Sequence, residues 1–288
     1  MSNTIVEKAY DYRQLPIPQE LLHATVTKKE IQEQVHKVAS LFATFETVHI
    51  ICNGDIVALQ IPDEACADGW RMEYVNVGRN FCPGEEQLIG KIAGEDILLP
   101  YGGKTVRAKV AQIKRKSIPQ LTDEMIVKLN IEGISSVAEY EERAFHFLAE
   151  QKHNRNLNGI WSFASRETVV HSVLLPVTPE NECFRILYAL NMRQMEAIAQ
   201  RIGQSVERAM AVALQMLDKT AEECYQKLYD LTVESVQQCA LGKQYAAQNG
   251  MDFADANMAD EESIHKFIAY FKQAICDYYE VKITVAME

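Results

Sequence analysis

The side chains able to do chemistry in this sequence are seven histidines and seven cysteines. The histidines stand at 23, 36, 49, 146, 153, 171 and 265, with no H-E-x-x-H and no cysteine at metal-ligand spacing. His146 and His153 are seven apart and could share a helix face, but two lone histidines do not make a metal site. The cysteines (52, 66, 82, 183, 224, 239 and 276) are odd in number, scattered, and without a C-x-x-C. That is the pattern of reduced thiols, not of a disulfide frame. A Walker loop, a G-x-G-x-x-G and a G-x-S-x-G are all missing, so nothing in the sequence supports hydrolysis, redox work or phosphoryl transfer, and no cofactor or metal is expected. One segment has unusual charge: Lys104 to Lys116 carries six basic and no acidic residues. It reads either as an anion or nucleic-acid patch or as the solvated face of a strand. Val106, Ala108 and Val110 alternate with Arg107 and Lys109, and no aromatic is interleaved along it, which favours the solvated face.

Around these residues the composition is that of a globular chain. Of 288 residues 48% are hydrophobic, and no apolar run approaches the roughly 18 residues of a membrane span. The opening residues lack a basic stretch followed by an apolar one, so no secretory signal is expected, and the location expected is the cytoplasm. Charge is uneven. Residues 1–116 carry 14 basic and 15 acidic side chains, and residues 117–288 carry 15 basic and 25 acidic, for −1 and −10. An acidic second half argues against nucleic acid and anionic membrane as partners.

The elements follow from periodicity and punctuation. Residues 1–26 read as irregular. Thr27 to Glu30 is a capping box opening a helix of about five turns through Ile31, Val35, Val38, Phe42 and Phe45. From 46 to 116 strand signals recur at 48–51, 56–61, 70–77, 96–99 and 105–113, split by turns such as Asn53-Gly54, with a short helix at 85–89. After Pro119 the pattern is helical. A capping box at Ser136 opens a long helix towards Ser172. Thr178-Pro179 reads as a second helix start, running to Gly203. A short helix at 206–217, a capped helix from Thr220 to Asn249-Gly250 and a last helix with Ile264, Phe267, Ile268, Phe271 and Ile275 follow.

The stretch Val77-Gly78-Arg79-Asn80-Phe81-Cys82-Pro83-Gly84-Glu85-Glu86-Gln87-Leu88-Ile89-Gly90 resembles the G-x-G-x-F-I-P-G-F-E-x-x-L-x-G segment of FKBP-type prolyl isomerases. Ile118-Pro119-Gln120-Leu121-Thr122-Asp123-Glu124 is similar to the L-P-E-L-D-D-E-F junction of the trigger factor family, where an isomerase domain hands over to a helical one. The likeness covers about 250 residues. It implies an α+β architecture: a linker and helix at 1–45, a small FKBP-like antiparallel β domain at 46–116, and an extended all-α client-binding domain at 117–288. It also implies a chaperone for unfolded or nascent polypeptides. The family's N-terminal Gly-Phe-Arg-x-Gly module has no counterpart here, so ribosome docking is not expected, and a homo-oligomer is left open.

An isomerase of this type needs an apolar, aromatic pocket that favours the twisted amide. The resemblance leaves Tyr74, Phe81, Cys82, Leu98 and Tyr101 to line it, or to pack a small core. Departures from the motif put activity in question. Pro83-Gly84 runs straight into Glu85, the family's Asp-aromatic pair is Gln60-Ile61, and the later loop has shrunk to Pro100-Tyr101-Gly102-Gly103. In the helical part Trp161, Met192, Met195, Phe267 and Phe271 are the expected client-binding residues, Met192 and Met195 sharing a helix face or packing inward. Two other readings stay open: an active prolyl isomerase, or a binding protein for one fixed partner.

Overall fold

The computed structural model describes residues 5–286 apart from 64–65, 67–68, 80–84, 102–103, 202, 204, 206–207 and 209–219. In chain order the strands are β1 (Val6–Lys8), β2 (His23–Thr27), β3 (Thr44–Thr47), β4 (Ile56–Pro62), β5 (Trp70–Asn76), β6 (Asp96–Tyr101), β7 (Lys104–Ser117), β8 (Val173–Leu174) and β9 (Lys282–Ala286). The α-helices are α1 (Gln19–Leu22), α2 (Lys28–Ala39), α3 (Asp123–Leu129), α4 (Val137–His171), α5 (Glu182–Arg201), α6 (Ala221–Gln248) and α7 (Glu261–Tyr278). The fold mixes α and β. Its contacts draw two units, residues 27–147 and residues 5–26 with 148–286. These boundaries differ from the 45 and 116 expected from sequence. The first turns of α4 belong to one unit and the remainder to the other.

In the sheet unit β7 is the central strand. It pairs antiparallel with β3 and β6 on one side and with β4 on the other, and β4 in turn pairs with β5. Between Val110 and Gln112 one extra residue of β7 shifts its register against β4. That bulge keeps Ala108, Val110 and Ile113 all on the inner face, where they meet Val57, Leu59 and Val75 in a buried core. Helix α2 opens on the capping box read from sequence: Thr27 Oγ1 accepts the Glu30 amide, and the Glu30 carboxylate accepts the Thr27 amide. It is shorter than its spacing suggested. Three turns end at Ala39, and Phe45 lies in β3, drawn out by pairing with Lys116. The segment 48–51 forms an isolated bridge, Ile50 to Ile92, and not a strand. Gly78 is required as glycine: its φ is +89°, and a Cβ there would collide with the Asn53 side chain.

The helical unit holds two aromatic-rich cores. In one, Phe271, Ile275, Leu241 and Ile160 are buried together with Leu15 and Ile17. The N-terminal residues are therefore part of this core and not a free linker. The Tyr279 hydroxyl donates to the Tyr12 carbonyl at 2.6 Å, the Tyr245 hydroxyl to the Tyr10 carbonyl, and the Asn156 amide to the carbonyls of Glu20, Leu21 and His23 at 3.1 Å each. Burial pushes the Tyr279 phenol up to about 12. In the second core, Cys183, Cys239, Val236 and Phe267 close against Ile264. The adjoining Cys183 side chain, followed by burial, pushes the Cys239 thiol well above the ordinary thiol range. The start of α5 departs from the sequence reading. Asn181 Oδ1 accepts the Phe184 amide at 3.1 Å, so the cap is Asn181 and the helix begins three residues after Pro179. The capping box of Thr220 and Glu223 and the stop at Asn249-Gly250 form as read. The helix expected at 206–217 falls almost wholly outside the described residues.

Candidate functional site

Of the five expected pocket residues only Tyr74 and Leu98 have described side chains, and these two do not come together. Phe81 and Cys82 lie outside the described residues, and of Tyr101 only the backbone, ending β6, is described. Tyr74 and Leu98 are each 64% exposed. Both face away from the core, because their neighbours Val75 and Leu99 take the inner face of the pleat. Tyr74 is on β5 and Leu98 on β6, three strand spacings across the sheet, or about 14 Å. That separation is too wide for one prolyl ring to touch both. The alternative of a small core is overturned for these two residues as well. The signal was available in the sequence: in β5 and β6 Tyr74 and Leu98 alternate with Val75 and Leu99, and strict alternation places them on opposite faces. Glu85, where the FKBP-like motif is one residue short, is buried and accepts the Gly78 amide at 2.7 Å, so it closes the turn leaving β5.

The expected client-binding residues divide. Phe267 and Phe271 are fully buried, and Trp161 packs edge-on against Phe271 at 5.3 Å between ring centres. These three belong to the cores, which corrects their assignment as a client surface. The apolar stripe of α7 is wide enough for one face only, and its own unit takes that face. Met192 and Met195 remain half-buried on α5.

The same helix carries an open aromatic slot. Phe184 and Tyr188, one turn apart on α5, stack at 5.7 Å with their planes 16° apart. Across from them Tyr225 and Tyr229, one turn apart on α6, stand so that Tyr229 tilts against Phe184 at 5.1 Å. Pro179, Ala189, Arg185, Glu222 and Gln226 complete a hollow of about 570 Å³. Its floor, Phe184, is buried, and its lip, Tyr225, is 45% exposed. Among the described residues no hydrogen bond engages the hydroxyls of Tyr188, Tyr225 or Tyr229. The slot thus offers an apolar body and free polar tips, a combination suited to a large side chain with neighbouring backbone. Tyr188, Met192 and Met195 fall at i, i+4 and i+7, so the two methionines continue the slot's stripe along α5.

Charge surrounds this hollow. Glu222 stands at its edge, Glu223 and Asp230 line the adjoining depression on α6, and Glu182 and Arg185 line the next one on α5. The aromatics of the slot were legible as two i, i+4 pairs, Phe184/Tyr188 and Tyr225/Tyr229. What was not legible is that α5 and α6 bring the pairs together. No group of three or more histidine, cysteine or acidic side chains among the described residues is arranged to hold a metal. No helix there is long and apolar enough to cross a membrane.

No protein-family profile matches the chain. Individual proteins do. A trigger factor of Shouchella clausii is 27% identical over 222 residues, which is 69% of this chain and 48% of that protein. One from Staphylococcus saprophyticus is 31% identical over 179 residues, 52% of this chain and 40% of the other. A trigger factor of Staphylococcus aureus is 33% identical over 136 residues, 42% and 30% of the two chains. A solved structure, described under promiscuous substrate recognition in folding and assembly activities of the trigger factor chaperone, aligns with 96% of this chain and 73% of its own at 14% identity and a TM-score of 0.43. The chain spans about half the length of the first of these curated relatives, and over the matched residues its sequence is similar to those of trigger factors.

Proposed function

We propose that this protein is a chaperone that holds non-native polypeptide segments, and that the aromatic slot between α5 and α6 is a place where it takes them. The observation that carries this reading is the slot itself: four aromatic rings from two helices, partly open, next to half-buried methionines. Burying apolar surface contributes about 25 cal/mol per Å², so a ring entering the slot gains weak, exchangeable affinity. Methionines suit a surface that must accept many shapes. The relatives' name, trigger factor, supports the same reading. The chain acts without a cofactor, and its place is the cytoplasm.

The sheet unit is best read as an FKBP-like module reduced to a scaffold. Tyr74 and Leu98 facing outward support that, as does the buried Glu85 where the motif is shortened. Aggregation of a chemically denatured client enzyme, followed by light scattering, tests the chaperone reading. Suppression is expected from the native chain. Tyr188→Ala with Tyr225→Ala should weaken it about fivefold to tenfold, the effect of losing roughly 1 kcal/mol. Absence of suppression by the native chain, or full suppression by the double variant, would remove the slot from the mechanism. Proline-limited refolding should run at its spontaneous rate in the presence of the chain. Acceleration would return the sheet unit to the isomerases.

A further inference from the structure

The outer face of the sheet gathers what the sequence keeps apart. Antiparallel partners share a face, so the register places Lys109, Lys114 and Lys116 of β7 beside Gln60, Ile56 and Phe45 respectively, all directed away from the core. Arg107, two residues before Lys109, joins the same column opposite Leu98. These four cations run along the middle strand for just under about 30 Å, roughly 6.6 Å from one outward residue to the next where the alternation is regular. Arg107 is bonded to Asp96 at 2.7 Å. Among the described residues no carboxylate pairs with Lys109, Lys114 or Lys116. Flanking the column, on the same face, are Phe45 (53% exposed) on β3 and Tyr74 on β5, with Trp70 and Met72 following along β5. The aromatic platform that the basic segment lacks within its own sequence comes from β3 beside it and from β5, one strand beyond β4.

We propose that this face binds single-stranded nucleic acid, the lysines and Arg107 following the phosphates while Tyr74 and Phe45 stack on bases. The inference does not depend on the chaperone reading. The chain is acidic as a whole, at −11, yet this face carries four cations and one carboxylate, so its local charge is opposite to the bulk. Cations in a line with aromatic planes to either side match a phosphate backbone with its bases turned outward. An acidic peptide would satisfy the lysines but would leave the rings without flat partners. A rigid duplex could not turn its bases onto them.

Fluorescence anisotropy with a labelled oligouridine of about 15 nucleotides tests this on the whole chain, beside a duplex and a polyglutamate of equal charge. Binding at 50 mM salt is expected to favour the single strand. It should fall about 50-fold by 200 mM, since four displaced counterions give a log–log slope of about −2.8. Tyr74→Ala should cost about fivefold or more and Tyr74→Phe almost nothing, because stacking needs the ring and not the hydroxyl. Lys109→Glu with Lys114→Glu should abolish the complex. These side chains are exposed, so each variant should keep the native circular dichroism spectrum, which is the check that it folds. Three results would overturn the proposal: no binding of oligouridine at 50 mM salt, binding unchanged in the charge-reversed variant, or polyglutamate bound as tightly as oligouridine with no response to Tyr74→Ala. The last would make the face a site for acidic polypeptide.

Discussion

On β5 the large apolar residues Trp70, Met72 and Tyr74 stand two apart and face solvent, whereas on α7 Ile264, Phe267, Phe271 and Ile275 stand three and four apart and face the core. Each element obeys its own period. A strand gives successive residues to opposite faces, so β5 spends Val75 on the interior and leaves Tyr74 outside. A helix collects its apolar residues on one stripe, and a stripe as strong as that of α7 is taken by its own unit. An exposed aromatic thus has a different meaning in the two units. In the sheet it follows from alternation, and in the helices it marks a place where a stripe is left partly uncovered, as at Tyr225.

The largest effect that could break this contrast is at Phe271. If it is core, Phe271→Ala should cost about 3–5 kcal/mol, read as a lower urea midpoint for the helical unit. A variant of normal stability with weakened client binding would instead make Phe271 a surface residue, and the contrast would fail at its clearest point.

The sheet unit has its own internal anchor, which sharpens the contrast because it is electrostatic. Arg115 bonds Asp55 through two nitrogens, Nε to Oδ1 at 2.9 Å and a terminal nitrogen to Oδ2 at 2.8 Å, and the Cys52 amide also donates to Oδ2. The Asp55 side chain is 2% exposed and that of Arg115 38%. The guanidinium, followed by the Cys52 amide, holds the Asp55 carboxyl below the ordinary carboxylate range against the opposing effect of burial. Arg115→Met would leave a buried carboxylate with one amide donor, at a cost of about 2–3 kcal/mol. The sign with pH follows. Since the folded carboxyl ionises at lower pH than the unfolded one, near 3.9, the contribution is complete above that value and is lost as pH falls through the folded pKa. Urea titrations between pH 7 and pH 2.5 should show this slope in the native chain and a flatter acid limb in Asp55→Asn. An unchanged acid limb in that variant would mean that other carboxylates govern acid unfolding.

Local chemistry was the most readable part of the sequence. The capping boxes at Thr27 and Thr220 and the glycine stop at 250 are set by residues three or four apart, and they appear where the sequence placed them. Long-range competition decided the rest. Phe45 continues the helical spacing of α2, yet it pairs with Lys116, seventy-one residues on, because β7 offers an unpaired strand edge. Asn181 displaced Thr178 as the cap of α5 because its oxygen reaches the Phe184 amide. Both candidate surfaces depend on such distant pairings. The slot needs α5 beside α6, and the basic face needs β3 in register with β7 directly and β5 in register with it through β4. Neither adjacency can be read from spacing along one segment.

The smallest effects on stability divide the two surfaces most cleanly. Tyr74→Ala and Tyr225→Ala both remove an exposed ring with no hydrogen bond among the described residues, so each should leave the urea midpoint within about 0.5 kcal/mol of the native chain. Their functional consequences should be opposite. Tyr225→Ala should weaken client protection and leave oligouridine binding intact, and Tyr74→Ala should do the reverse. A shared loss of both activities would mean that one surface serves both ligands. A large drop in stability from either variant would mean that its ring is structural, and the distinction between an outward aromatic in a strand and an uncovered aromatic on a helix would no longer hold for this protein.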